Sequence, residues 1–359
     1  SYSIPLSQIT ILITINFAIQ LLIDLLSAKF VDKIGYRTSV IIAHACSAAG
    51  LILLTILPEV FPSAFAGIVV SVAIYAVGGG LIEVLISPIV EACPTDNKEK
   101  AMSLLHSFYC WGHMGVVLIS TAFFALFGIQ NWKIMMLLWA LVPLANLLLF
   151  TRVPIATLLE EGEKGMSVKK LCKQKLFWVL MLMMMCAGAS EQAVSQWAST
   201  FAEQGLRISK TMGDLLGPTC FAALMGLSRV FYGKYGDKVN LEKFMAGSAV
   251  LCVAAYLLIS MTNQAWLGLM GCGLCGLSVG IMWPGSFSIA AKTMRGGGTA
   301  LFALLALAGD LGCSGGPTLV GFVSGALGDQ LRLGILAGVI FPVLLLAGLY
   351  ACRKLTKKA

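Results

Sequence analysis

An all-α membrane protein made of two pseudo-symmetric six-helix bundles is what this sequence predicts. Three observations predict it: a composition far more apolar than that of a soluble domain, eleven apolar runs long enough to cross a bilayer, and an internal repeat relating the two halves of the chain. Of 359 residues, 58% are hydrophobic and 12% charged, and the mean hydropathy is +0.89. Globular domains hold about 45–50% apolar and 25% charged residues. The runs cover 8 to 28, 38 to 57, 64 to 88, 101 to 128, 132 to 150, 176 to 201, 212 to 232, 243 to 261, 265 to 291, 298 to 325 and 331 to 352. Each is near the roughly 20 residues a spanning helix needs. Unbroken runs fit helices, because a barrel strand alternates apolar and polar residues.

The first two runs are joined by "AKFVDKIGYR" (28 to 37), which reads as the charged loop of a membrane hairpin. Loops on the same side as this one carry 20 of the 25 Lys and Arg, the opposite loops four, and Arg229 lies inside a run. Cytoplasmic loops accumulate Lys and Arg, so a multi-pass protein of the cell membrane with a cytoplasmic C-terminus is expected. The net charge of +8 is then a topology signal that requires no nucleic-acid partner. An odd number of helices puts Ser1 outside, and "SYSIPLSQ" is too short and polar for a signal peptide. One preceding helix, absent from this chain, is therefore expected.

The eleven cysteines lie mostly in apolar runs, where Cys acts as a small hydrophobe, and imply no disulfide framework. "GCGLCG" (271 to 276) spells both CxxC and GxGxxG, yet no strand precedes it and no second ligand pair follows. Close helix packing through small residues is the reading, and no metal or other cofactor is expected. There is no nucleophile elbow, HExxH or P-loop, so enzyme chemistry and ATP-driven pumping find no support.

The repeat pairs "AKFVDKIG" (28 to 35) with "GKYGDKVN" (233 to 240), matching Asp32 to Asp237 and Lys33 to Lys238. Eight residues before each acid stands an ionisable group, Asp24 or Arg229. Gly112 and Gly115 align in the same order with Gly312 and Gly315. The division expected from this is an N-terminal bundle over 1–150, a linker over 151–175 and a C-terminal bundle over 176–359. Internal repeats of this kind mark secondary transporters, whose substrate site lies near the midplane at the repeat interface.

The motif G-x-x-x-D-[RK]-x-G-x-[RK] in the first loop, with Ala28 at its opening position, and its degenerate copy at 233 to 240 resemble the major facilitator superfamily. That resemblance implies the major facilitator fold, alternating access around a central cavity, a small-molecule substrate, and protons or another ion as coupling partner. "LLHSFYCWGHMG" (104 to 115) and "ASEQAVSQWAST" (189 to 200) are similar to the fucose and glucose symporter branch. The resembled symporters place an essential acid in the helix that here carries Glu83.

Charges inside a membrane are costly enough to count as functional. Asp24, Glu83, Glu191, Arg229 and Asp310 lie in apolar runs. Glu83 follows "VGGG", where small residues admit a neighbouring helix, and is the leading candidate proton carrier, with Glu191 second. The competing reading of Glu83 is a carboxyl held by helix-to-helix hydrogen bonds. Asn16, Gln20 and Asp24 are spaced i, i+4, i+8 on one helix face. His106, Tyr109, Cys110 and His113 share another face. With Gln192, Ser195, Gln196, Trp197 and Asp310, such polar and aromatic groups suit a hydroxylated ligand such as a sugar. The substrate-binding candidates are therefore Asn16, Gln20, Tyr109, His113, Gln192, Gln196, Trp197 and Asp310. Two histidines one face apart, with no third ligand near in sequence, fall short of a metal site.

The gating candidates are Asp24, Asp32, Lys33, Arg37, Arg229, Asp237 and Lys238. Asp32 is expected to accept hydrogen bonds from the exposed N–H groups of a helix in the other half, while Lys29, Lys33 and Arg37 hold their loop at the anionic leaflet. The functional expectation is a monomeric, proton-coupled transporter of a sugar-like solute. Its alternatives are drug or metabolite efflux by proton antiport and a transport-inactive membrane sensor of the same fold.

Overall fold

The computed structural model of the chain describes residues 4, 6–156, 158, 165–328 and 330–357. The described residues are mostly helical, without strands. The first half holds α1 (Leu6–Ile34), α2 (Tyr36–Leu54), α3 (Leu57–Val60), α4 (Ala64–Ala92), α5 (Lys98–Phe127) and α6 (Trp132–Phe150). The second holds α7 (Val168–Cys172), α8 (Lys175–Ser195), α9 (Ala198–Leu206), α10 (Lys210–Tyr235), α11 (Leu241–Met261), α12 (Ala265–Val279), α13 (Met282–Thr293), α14 (Gly298–Ala326), α15 (Leu331–Gly338) and α16 (Ile340–Thr356). Among the described residues, eleven helical stretches are long and apolar enough to cross a membrane. Three of the eleven are broken: α8 gives way to α9 at Gln196 and Trp197, α12 to α13 at Gly280 and Ile281, and α15 to α16 at Val339.

The first charged stretch is not a loop. Helix α1 continues through Lys33 to Ile34, and only Gly35 separates it from α2, with a φ of 89° that side-chain-bearing residues avoid. The residues "AKFVDKI" contain no Gly or Pro, so nothing local stops the helix before Gly35. The second copy behaves alike, with α10 running to Tyr235.

Two compact units are present. Unit 1 comprises Ser1–Cys93, Ile119–Met166 and Gly297–Leu307; unit 2 comprises Pro94–Leu118, Ser167–Gly296 and Ala308–Ala359. Helices α5 and α14 thus each supply residues to both. In unit 1, α2 packs on α4 and α6, and α1 packs on α4. Helices α2 and α4 approach closely at Gly50, where a Cβ would lie 2.6 Å from the Tyr75 Cβ, and at Gly78, where one would lie 2.5 Å from the Ala43 carbonyl oxygen.

The core of unit 2 gathers Cys110, Val194, Phe221, Met225, Tyr256 and Cys275, among others. The Tyr256 hydroxyl donates to the Ser190 carbonyl at 2.8 Å, tying α11 to α8. Gly271 lies against Ile259 and Gly276 against the Phe221 carbonyl, so "GCGLCG" is a helix-packing surface. In α14, Gly312 rests directly on the Met185 carbonyl of α8, and Gly316 on Ala189. Gly315, on another face, has nothing within 4 Å of a built Cβ. Overpacking costs about 1–3 kcal/mol. Gly312→Ala is therefore expected to lower the unfolding temperature in detergent and Gly315→Ala to leave it unchanged; equal behaviour of the two variants would refute this packing.

Candidate functional site

In unit 2, Glu191 near the C-terminus of α8 and Arg229 on α10 are both buried, 7% and 2% exposed. They form an ion pair with Arg229 Nη2 and Glu191 Oε2 3.4 Å apart. The rest of the guanidinium is engaged too. Arg229 Nε donates to the Gly280 carbonyl at 2.8 Å, and Nη1 donates to the His106 carbonyl at 2.8 Å and to Cys110 Sγ at 3.3 Å. Gly280 offers that carbonyl for a reason written in the sequence. In a continuous helix it would bond the N–H of residue 284, but Pro284 has none. The break between α12 and α13 thus frees an acceptor, and the cation fills it.

Around the pair, Tyr109 places its ring 6.0 Å from Arg229 Cζ, close enough for a cation–π contact. The His106 ring stacks on Phe287 with centroids 5.9 Å apart, and Ser103 Oγ donates to the Arg229 carbonyl at 2.8 Å. A single charge-assisted contact between two desolvated ions is an arrangement that one proton can reset: protonating Glu191 removes the charge that Arg229 faces. Chemically, the cluster can hold or release a proton in the interior of unit 2.

The sequence placed Glu191 and Arg229 in different roles, and the structure brings them together. It divides the predicted α5 face: Cys110 is buried and His106 half-buried, while Tyr109 and His113 are exposed. Gln192 accepts from Ser195 Oγ at 3.1 Å. Gln196 is exposed at the α8–α9 break, and the neighbouring Trp197 Nε1 is a buried atom without a hydrogen-bond partner among the described residues. Asp310, 6% exposed, follows Gly309, against which the Trp283 ring packs.

In unit 1, α1 meets α4 where Gln20 faces Gly79 and Ile23 faces Gly80. One helical turn farther along each helix stand Asp24 and Glu83. As the first and third spans, α1 and α4 run in the same direction, so these two acids lie at the same level of a packed pair. Asp24 is fully buried and Glu83 half-buried. Asn16 shares the α1 face, its Oδ1 buried without a hydrogen-bond partner among the described residues.

The motif acids have partners as well. Thr299, in the first turn of α14, donates through Oγ1 to Asp32 Oδ1 at 2.5 Å and pairs with the Tyr36 hydroxyl at 2.5 Å. The expected backbone N–H groups are thus replaced by a side-chain hydroxyl. Asp237 is bound by Lys100 Nζ and, at 2.8 Å, by Asn97 Nδ2, at the start of α5. The Lys100 and Asn97 bonds hold the Asp237 carboxyl below the usual carboxylate range. A depressed pKa makes the contact complete at neutral pH and lost only as the solution becomes strongly acidic. Each acid therefore reaches the first turn of the long helix contributed by the other half of the sequence. Arg37 also differs from expectation: its fork donates to the carbonyls of Phe150 at 2.7 Å and Val153 at 2.9 Å, capping α6. Lys33 and Lys238 are exposed.

Thr299, Tyr36, Asn97 and Lys100 escaped the sequence reading. A signal for them existed, because the 200-residue offset that aligns Gly112 with Gly312 also aligns the starts of α5 and α14. Thr299→Val leaves the Asp32 carboxylate and the buried Tyr36 hydroxyl without their shared partner, a loss of about 1–3 kcal/mol. A thermal melt of this variant is expected to show a lower midpoint, and an unchanged one would deny the bond any structural weight.

The Major Facilitator Superfamily profile matches residues 1–317. Over 348 residues the chain is 23% identical to the membrane protein MosC of Rhizobium meliloti, covering 95% of this chain and 81% of that protein. Among solved structures, the E. coli fucose:proton symporter FucP superposes with a TM-score of 0.82 at 16% identity, covering 97% of this chain and 91% of that one. The proton:xylose symporter XylE gives 0.79 at 14% identity over 97% and 86%. The human organic anion transporter MFSD10 gives 0.71 at 16% identity over 93% and 82%. At these identities the structural likenesses speak for the fold.

Proposed function

The chain belongs to the Major Facilitator Superfamily, a family of multi-pass membrane transporters and not of enzymes, and from that premise we propose that it moves a small polar, sugar-like solute together with protons. The observation that carries the coupling half is the buried Glu191–Arg229 pair with His106, Cys110 and Tyr109 around it. A bundle with only a structural task would be more stable without such a pair. Glu83, level with Asp24 on packed helices, supplies a second protonatable centre. The fold likeness to the fucose and xylose symporters supports the solute class, as does the mixture of Gln192, Gln196, Tyr109, His113 and Trp197. Asn16, Gln20 and Asp310 complete the proposed solute-binding set, and Asp24, Asp32, Lys33, Arg37, Arg229, Asp237 and Lys238 the gating set.

Transport proceeds, on this reading, by alternating access of the repeat-related bundles 1–150 and 176–359, joined by 151–175, with the C-terminus in the cytoplasm. The Asp32–Thr299 and Asp237–Lys100 contacts are the links that break and reform. A thermal-shift screen of sugars, polyols, organic anions and lipophilic cations tests the solute, because a ligand that binds the folded state raises its unfolding temperature by mass action. Stabilisation by sugars or polyols is expected. Stabilisation by organic ions alone would overturn the sugar assignment in favour of efflux. Reconstituted vesicles showing no gradient-driven uptake or exchange of any solute would favour a transport-inactive sensor.

A further inference from the structure

The helix ends of unit 2 at the α7–α8 junction carry a dense set of cations on a fixed scaffold. Helix α7 is short, but three contacts hold it. Ser167 Oγ accepts from the Lys170 N–H at 3.3 Å, Leu171 is fully buried, and the Trp178 indole Nε1 on α8 donates to the Cys172 carbonyl at 2.8 Å. From this platform Lys169, Lys170, Lys173 and Lys175 all project into solvent.

Helix α16 adds to the same end. It packs on α8 with Gly348 against Met183, and as the eleventh span it runs opposite to α8, the sixth. Five residues from that crossing, in opposite senses along the two helices, lie Arg353 and Trp178. Arg353 and Lys354, both exposed, therefore stand at the level of the indole. Two large rings face outward near this level, Trp178 at 56% and Tyr350 at 71% exposure. Amphipathic rings with that exposure sit at headgroup depth in a bilayer. Nearby acids do not neutralise the patch. Asp237 is occupied by Lys100, Glu99 by Tyr232 and Lys292, and Glu242 at the start of α11 is one carboxylate against six cations. Glu160, Glu161 and Glu163 of the linker lie outside the described residues.

We infer that this end of unit 2, from α7 across α8 to α16, is a seat for the headgroup of an anionic phospholipid. Lys169, Lys170, Lys173 and Lys175 contact the phosphate from the α7 side, Arg353 and Lys354 close it from α16, and Trp178 and Tyr350 lie beside the glycerol and upper acyl chain. Clusters of four to eight Lys and Arg next to a membrane helix bind anionic lipid by charge attraction. What this structure adds is a scaffold that sets their positions: the Trp178 indole N–H ties the lysine-bearing turn to α8. The inference is independent of which solute is transported.

Native mass spectrometry of the purified full chain in detergent, titrated with phosphatidylglycerol and separately with phosphatidylcholine, tests it. Phosphatidylglycerol is expected to be retained about tenfold more tightly, and the triple variant Lys169→Gln, Lys170→Gln, Lys173→Gln to abolish that preference. Trp178→Phe keeps the charge and the ring but releases α7; it is expected to weaken phosphatidylglycerol retention by about threefold or more while leaving the weak phosphatidylcholine binding as it was. A control with the same charge loss elsewhere on unit 2, Lys234→Gln, Lys243→Gln, Arg295→Gln, is expected to keep the preference. Equal retention of the two lipids by the unmodified protein would overturn the proposal. So would a loss in the control equal to that in the α7 variant, or full retention in Trp178→Phe, since either would reduce the site to undirected charge.

Discussion

Arg229→Met is expected to destabilise the protein by about 3–5 kcal/mol, enough to abolish or severely reduce folded yield, because it leaves the Glu191 carboxylate buried without its cation. The same change strips the Gly280 carbonyl of the donor that stands in for the missing N–H of Pro284. Glu191→Gln/Arg229→Met leaves no charge in the pocket and is expected to recover much of the lost stability, so the two substitutions should be strongly non-additive. The recovered double variant is then expected to bind solute but to show no accumulation driven by a pH gradient. Unfolding midpoints in detergent read the first effect and vesicle uptake the second. A single variant as stable as the parent would mean that the pair is not desolvated as described; a double variant with full proton-driven uptake would remove Glu191 from coupling.

Glu83→Gln is expected to cut pH-gradient-driven uptake by more than about tenfold, while solute exchange in the absence of a gradient persists. The reason lies in its position. Asp24 is fully buried and level with the half-buried Glu83 on the adjoining helix, and a nearby like charge disfavours ionisation of a carboxyl group. A proton carried by Glu83 would be expelled, on this reading, by a solute-driven rearrangement of α1 against α4. Gln keeps the shape and a hydrogen-bonding group but has no proton to release. Uptake that follows the pH gradient unchanged would exclude Glu83 as carrier. Asp24→Asn should then be measured in the same vesicles, because the partner acid would be the remaining candidate in unit 1.

Where the sequence reading departed from the structure, the reason is traceable to individual residues. The span pattern was legible because hydropathy is a local property that any twenty-residue window expresses, and all eleven runs became helices. The helix break at Gly280 is equally local, since Pro284 removes one donor wherever the segment packs, but the continuous apolar run around it masks the break in hydropathy. The charged stretch at 28 to 37 reads as a loop because charge signals the end of the membrane, but a helix does not have to end where the membrane does, and α1 runs on to Ile34. Arg37 was placed at the lipid surface, but the carbonyls at the end of α6 hold it. No pattern around Arg37 reveals a partner more than a hundred residues away.

By itself, then, the sequence determined the membrane class, the helix count, the internal repeat and the residues expensive enough to need a purpose, because composition, periodicity and the cost of a charge in hydrocarbon are all set within a few turns of chain. Only the tertiary structure decided which of those residues meet. It paired Glu191 with Arg229, set Asp24 level with Glu83, and gave Asp32 to Thr299 and Asp237 to Lys100. Such pairings depend on the depth and rotation at which helices pack. A shift of one residue turns a side chain by about 100° around its helix, and that angle is fixed by contacts such as Gly312 on Met185 and Gly50 on Tyr75, made between segments far apart in the chain.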